Sequence, residues 1–309
     1  MISRKLIRQV LPFLSLAMVL LATFYVQPRA MSYFGLNLML QYAIPIALAT
    51  IAQMFVITVN DLDLSIGPFV GLVGCISATL LFNNPLLGVL VLLLLITAYG
   101  AIGALIHLRN LPSIVVTLGL SFVWLGIAVL ILPSPGGKAP EWLKAIVGVK
   151  LPFIPFPIIA AIVIGVVVHL TLMNSSYGVI ARGGGGNSKA LTRAGWSMLK
   201  TKIAMYMLCS FFGVLSGLSL LGLTTSADAH VADRYTLFSI AGVILGGGEF
   251  IGGRVSPMGA VVGALTLALA GSFLIFLKIS PDWQIGAQGA ILIIVLALRA
   301  AVTYGEVKA

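Results

Sequence analysis

Hydrophobic positions dominate the chain and are interrupted by charge only at intervals. Charge-free stretches cover Ala30–Asn60, Leu64–Leu108, Asn110–Gly137, Leu151–Ala181, Ile203–Ala227 and Val255–Leu277. A helix needs about 20 apolar residues to cross the hydrocarbon core of a bilayer. The pattern therefore predicts an all-α, polytopic membrane protein with ten membrane-embedded helices, near 10–27, 37–60, 67–83, 86–107, 113–132, 152–173, 200–222, 236–247, 257–276 and 285–303. The breaks fall at Asn83-Asn84-Pro85, Leu111-Pro112 and Pro133-Ser134-Pro135-Gly136-Gly137, where proline and glycine end helices. The eighth segment is only about 12 residues long, roughly 18 Å, and runs into Gly246-Gly247-Gly248. That is too short to span, so a half-helix buried against protein is expected.

Composition agrees with this pattern. Apolar residues make up 60% of the 309 and charged ones 8%, with mean hydropathy +1.14, which leaves too little polarity to cover a water-soluble fold. The net charge of +10 would suggest nucleic acid in a soluble chain, but here the basic residues are scattered between spans, so no nucleic-acid partner is expected and topology accounts for them. Arg4, Lys5 and Arg8 precede an apolar run without an A-x-A cleavage site, which reads as a retained first span with a cytoplasmic N-terminus. On ten spans, twelve basic residues then face the cytoplasm and six the opposite side, with both termini inside, in a bacterial inner membrane. The whole chain, 1–309, reads as one transmembrane domain. Its longest cytoplasmic connection is the 26-residue loop at about 174–199.

Enzyme signatures are missing. There is no G-x-x-x-x-G-K-[ST], no H-E-x-x-H and no G-x-S-x-G. Cys75 and Cys209 lie inside apolar runs as small hydrophobes, and three scattered histidines suggest no metal site. Gly213 with Gly217, and Gly259 with Gly263, form G-x-x-x-G pairs that pack spans within one subunit or, alternatively, form a dimer seam.

Three polar segments carry the remaining information. Asn60-Asp61-Leu62-Asp63-Leu64-Ser65-Ile66-Gly67-Pro68 joins two spans, with Ser65 or Asp63 positioned to cap the helix that Pro68 opens. Gly246-Gly247-Gly248-Glu249-Phe250-Ile251-Gly252-Gly253-Arg254 concentrates backbone freedom before the Pro257 helix, which points to conformational change. The third segment contains Gly183 to Gly186, expected to be a flexible run, followed by a short helix with Asn187 or Ser188 as cap and Gly195 as stop.

Taken together, Asp63-Leu64-Ser65-Ile66-Gly67, Pro112-Ser113-Ile114-Val115-Val116-Thr117-Leu118-Gly119, Gly186-Asn187-Ser188-Lys189-Ala190 and Leu245-Gly246-Gly247-Gly248 with Gly252-Gly253 resemble, in order and spacing over roughly 37–300, the ribose/simple-sugar permease family of bacterial ABC importers. Asn60-Asp61 stands where that family usually has a glycine pair, and four glycines precede Asn187 where two are usual.

The resemblance implies a second permease subunit, identical or paralogous, a cytoplasmic ABC ATPase and a periplasmic or extracellular sugar-binding protein, all around a pathway that works by alternating access. This chain would bind no cofactor; ATP and Mg would belong to the partner ATPase. A stand-alone channel or secondary transporter is the rival reading. On the family reading, Asn187, Ser188, Lys189, Ala190, Leu191, Arg193 and Gly195 are the ATPase-coupling candidates, with Leu191 as apolar anchor. Asp61, Asp63, Ser65, Gly67, Gly246, Gly247, Glu249, Gly252 and Gly253 form the conformational set. Phe69, Thr117, Phe122 and Trp124 are pathway candidates, with span packing as their competing role.

Overall fold

The computed structural model describes residues 4–280 and, beyond them, only positions 283, 286, 287, 289, 290, 293 and 297. The tenth expected helix, 285–303, thus lies outside the described stretch. The named elements of the described chain are all helices: α1 (Arg4–Val26), α2 (Tyr33–Gln41), α3 (Ala43–Thr58), α4 (Ile66–Ile76), α5 (Pro85–Leu108), α6 (Ser113–Ile131), α7 (Glu141–Val147), α8 (Phe156–His169), α9 (Ser176–Gly186), α10 (Ser188–Arg193), α11 (Met198–Thr224), α12 (Tyr235–Leu245) and α13 (Pro257–Phe276). Its one β-type contact among described residues is an isolated antiparallel bridge between Gly136 and Ala227.

Five of these helices are long and apolar enough to cross a membrane: α5, α6, α8 with the π-turn that extends it to Asn174, α11 and α13. A sixth is the α2–α3 pair, bent by 40°. The bend has a local cause. Pro45 sits three residues into α3, and its ring removes the bond to, and crowds, the carbonyl of Gln41, where α2 ends. The described residues therefore support five or six spans, fewer than the ten embedded helices read from hydropathy.

Three further apolar helices fall short of a span; one is the Val10–Val26 part of α1, and two are shorter still. α12, anticipated as a half-helix, has 11 residues, roughly 16 Å. The other departs from expectation. The segment read as an ordinary span at 67–83 is α4 continued by a π-turn to Leu81, only about 24 Å in all, and a non-helical stretch precedes it. Ile66 and Phe69 meet α11 at Gly213, about 22 Å from that helix's first residue and about 16 Å from its last, so α4 begins level with the middle of α11.

α3 and α11 form the centre of the bundle. Every residue of α3 is buried, and the core joins it to α4, α11, α12 and α13. The glycine pairs pack these helices within the chain: Gly213 and Gly217 receive Phe69 and Val73 of α4, while Gly259 and Gly263 press against Gly246 and Gly242. Both faces are occupied by the chain's own helices, which leaves no room there for a dimer seam.

Candidate functional site

The non-helical stretch 61–65 leaves most of its middle backbone groups without local partners, so the surrounding spans supply them. Ser113 Oγ accepts from Leu62 N (3.1 Å), Thr117 Oγ1 donates to Leu62 O (3.2 Å), and Leu64 N donates to Thr117 Oγ1 (3.0 Å). Gln53, with its amide assigned to satisfy the network, donates to Asp63 O (2.9 Å) and accepts from Asp63 N (3.2 Å). Each group left unpaired in an apolar interior would cost several kcal/mol, so these side chains are what permit non-helical backbone here.

Neither Ser65 nor Asp63 caps α4 as its sequence suggested. Asp63 Oδ1 instead turns back to accept from Ser65 N (2.7 Å) and Ser65 Oγ (2.6 Å), forming an Asx-type turn. The free Gly67 N–H of the first turn is taken by Thr236 Oγ1 in the first turn of α12 (3.0 Å), so the starts of the two short helices are tied together. Ser65 Oγ also meets Tyr99 Oη at 2.9 Å, and Cys209 Sγ lies 3.7 Å from Asp63 Oδ2.

Nearer the α11 N-terminus, three polar segments converge. Asn60 adopts a left-handed φ of 64° and accepts from Gly252 N through Oδ1 (3.1 Å), while Gly253 N donates to Thr58 O (2.9 Å). A Cβ on Gly252 would lie 2.6 Å from Gly185 O and 2.7 Å from Asn60 Cβ. Gly253, at φ 83°, needs glycine on conformational grounds and touches Arg182 O. The end of α3, the glycine turn and α9 thus lie backbone against backbone. In the same turn Gly247 is left-handed at φ 100°, and Glu249 pairs with Arg254 at 3.0 Å.

The glycine run at 183–186 is not the flexible loop expected. It forms the last turn of α9, where Gly185 lies so close to Thr58 O and Gly253 N that no side chain fits, and tertiary packing overrides the poor helix propensity of glycine. α10 follows, capped by Asn187 Oδ1 accepting from Ala190 N (3.0 Å), with Gly195 in the left-handed stop position at φ 84°. Ser188, Lys189, Ala190 and Arg193 are exposed. Leu191 is not available as an outward anchor: it is 8% exposed and packs inward against Gly184 and Met198.

Asp61 forms a largely buried ion pair with Lys202 (2.7 Å) and accepts from Tyr206 Oη (3.3 Å). Neither partner was marked by the sequence, since both stand on α11, some 140 residues away, without a local motif. A cavity of about 530 Å³ opens here, lined by Asn60, Asp61, His107, Asn187, Lys189 and Lys202 among others. The structure so brings together Asp61, Gly252, Gly253 and the Asn187 segment, while Asp63, Ser65 and Gly67 lie deeper.

Of the four pathway candidates, Phe69 and Trp124 are buried in an aromatic cluster with Tyr99, with ring centroids 4.7–6.0 Å apart. Thr117 is buried in the backbone network, and Phe122 faces outward, 69% exposed. No cluster of three or more His, Cys, Asp or Glu among the described residues could hold a metal ion.

Such an arrangement, apolar spans around broken helices whose ends meet polar connections, defines a multi-pass helical membrane protein. The chain belongs to the family described as branched-chain amino acid transport system / permease component, whose profile matches residues 35–296. The members of that family are transporter components rather than ATPases. Its relatives include the ribose import permease proteins of Haemophilus influenzae (27% identical, over 84% of this chain and 82% of that protein) and Bacillus subtilis (26%, 93% and 91%). The galactose/methyl galactoside import permease protein of Haemophilus influenzae is 26% identical over 85% of this chain and 84% of its own length. No solved structure matches the chain.

Proposed function

We propose that this chain is the transmembrane subunit of an ATP-driven, binding-protein-dependent sugar importer. The sugar assignment rests on relatives named for ribose and galactose, although the family description refers to branched-chain amino acids. In this reading residues 1–309 form one domain with ten membrane-embedded helices, α4 and α12 among them, and with both termini in the cytoplasm of a bacterial cell. Two permease subunits, identical or paralogous, enclose the pathway. The ATP and Mg sites belong to a partner ATPase, this chain binds no cofactor, and a sugar-binding protein delivers substrate from outside.

One observation supports the mechanism above others. α10 is capped at both ends, exposes Lys189 and Arg193 four residues apart, and sits on α9, which in turn presses against the end of α3 and the Gly252–Gly253 turn. A push on α10 by a closing ATPase would therefore reach two membrane helices through rigid backbone contacts, the kind of element alternating access requires. Leu191 fixes α10 to the body of the permease, and the basic pair meets acidic groups of the ATPase.

Co-isolation with an ATPase subunit and vanadate-sensitive sugar uptake test the assignment. Sugar flux by this chain alone in liposomes would overturn it in favour of a channel or secondary transporter. Replacing both Lys189 and Arg193 by Glu is expected to abolish stimulation of ATP hydrolysis by the loaded binding protein while membrane insertion stays normal. Full stimulation in that variant would remove α10 from the coupling route.

A further inference from the structure

Between the end of α11 and the start of α12 the chain does not stay at the bundle end. Ala227 pairs with Gly136 beside the end of α11, but Ala229 then lies against Gly71, and Ala232 O and Asp233 O lie 2.7 and 3.1 Å from the Cβ position of Gly67. The segment therefore runs down α4 from near its end to its first turn. That first turn meets Gly213, about 22 Å from one end of α11 and about 16 Å from the other, so the segment enters the molecule to mid-depth.

What it carries there is charged and uncovered. His230 Nδ1 and Asp233 Oδ2 lie 2.9 Å apart with side chains 59% and 49% exposed, and Arg234 is exposed beside them. A charge facing hydrocarbon at this depth costs at least about 2.5–3.5 kcal/mol, so ionisable groups inside membranes face protein or water-filled cavities. With every described residue in place, all three stay exposed. Arg234 also borders a cavity of about 390 Å³ with Tyr42 and Ser272, within the roughly 300–1,000 Å³ range of small-molecule sites.

We infer that the segment Asp228–Arg234 lines the water-filled passage, and that His230, Asp233 and Arg234 are the side chains that meet a polyhydroxylated substrate in transit. The substrate class rests on the sugar-import reading above; the passage itself rests on depth and exposure. The chemistry suits a neutral polyol: a carboxylate accepts from two hydroxyls at once, and imidazole and guanidinium donate to others. Asp228 Oδ1 accepts from the His230 backbone N–H (2.9 Å), and Arg234, next in sequence to Asp233, offsets one of the segment's two negative charges. Half-exposed groups release what they bind, as a passage requires. These residues escaped the sequence reading because Asp228–Arg234 looks like an ordinary polar connection between spans.

The test uses single cysteines in the intact transporter in membrane vesicles, where the native Cys75 and Cys209 are buried and give a low background. His230→Cys and Asp233→Cys are expected to react with the charged, membrane-impermeant reagent 2-sulfonatoethyl methanethiosulfonate at least about tenfold faster than Leu94→Cys on the exposed apolar face of α5, and the modification is expected to block uptake of radiolabelled ribose or galactose. Arg234→Cys gives the same readout if either variant fails to assemble. Labelling no faster than at Leu94→Cys, in a complex that still takes up sugar, would overturn the inference and place the segment under a partner subunit or lipid. Fast labelling in a complex that transports neither sugar would leave the passage standing and refute the sugar reading instead.

Discussion

Gly183 and Gly185 stand two residues apart in α9, yet alanine is expected to shift stability in opposite directions at the two positions. Both are helical, so alanine brings a gain of up to about 1 kcal/mol from backbone propensity at either one. At Gly183 a Cβ meets nothing within 4 Å, and the gain stands. At Gly185 the Cβ would overlap Thr58 O and lie 2.9 Å from both Thr58 C and Gly253 N, all backbone atoms that cannot rotate away. Overpacking costs about 1–3 kcal/mol, and separating the helices also strains the 2.9 Å bond from Gly253 N to Thr58 O, worth about 1 kcal/mol. Gly185→Ala should therefore be destabilising by about 1–3 kcal/mol and differ from Gly183→Ala by about 2–4 kcal/mol. At roughly 2 °C per kcal/mol for a chain of this size, apparent melting points of the detergent-solubilised variants should differ by at least about 4 °C. If Gly185→Ala melts at or above Gly183→Ala, α9 does not press on α3 as described.

Gly252→Val is expected to wedge apart Gly185 and Asn60, cutting transport severely while leaving assembly and sugar delivery intact; wild-type turnover measured in vesicles would end the case for this turn. Lys202→Ala leaves Asp61 buried without its cation and should cost about 3–5 kcal/mol, whereas Lys202→Ala combined with Asp61→Asn should recover part of that loss. A double-mutant cycle of melting points checks this, and strict additivity would show that the pair is not coupled. Asn187→Ala removes the cap on Ala190 N and should weaken α10 by about 1 kcal/mol, seen as faster proteolysis after Arg193 with the spans unaffected.

The long spans were legible because twenty apolar residues in a row leave a chain few options, and α5, α6 and α13 fall within a few residues of their expected limits. α12 could be recognised by its shortness and its glycine stop. α4 could not: the polar segment Asn60–Ser65 read as an ordinary connection between two full spans, and nothing local reveals that it lies inside the bundle until Gln53, Ser113 and Thr117 are seen to satisfy its backbone. The glycines of α9 misled for the converse reason, since their propensity opposes a helix that packing makes. Leu191 looked like an exposed anchor because a six-residue helix carries too little pattern to say which side faces its own protein. Asp61 was singled out as an acid, but its meaning depends on Lys202, which only the fold brings within reach.

The non-helical stretch before α4 also bears on how the protein is made. Its amides and carbonyls find partners on α3, on α6 and, through Thr236 bound to Leu64 O and Gly67 N, at the start of α12. During synthesis α4 emerges some 170 residues before Thr236, so the growing chain cannot yet offer all of those partners. A lipid-exposed unpaired backbone is not tolerated. The first helices must therefore wait at the insertion machinery, or beside water, until the C-terminal half arrives. Biogenesis of this protein is an assembly in which an early segment is locked in place by a late one, and a ribosome stalled before α12 would leave behind an unfinished bundle rather than a smaller stable one.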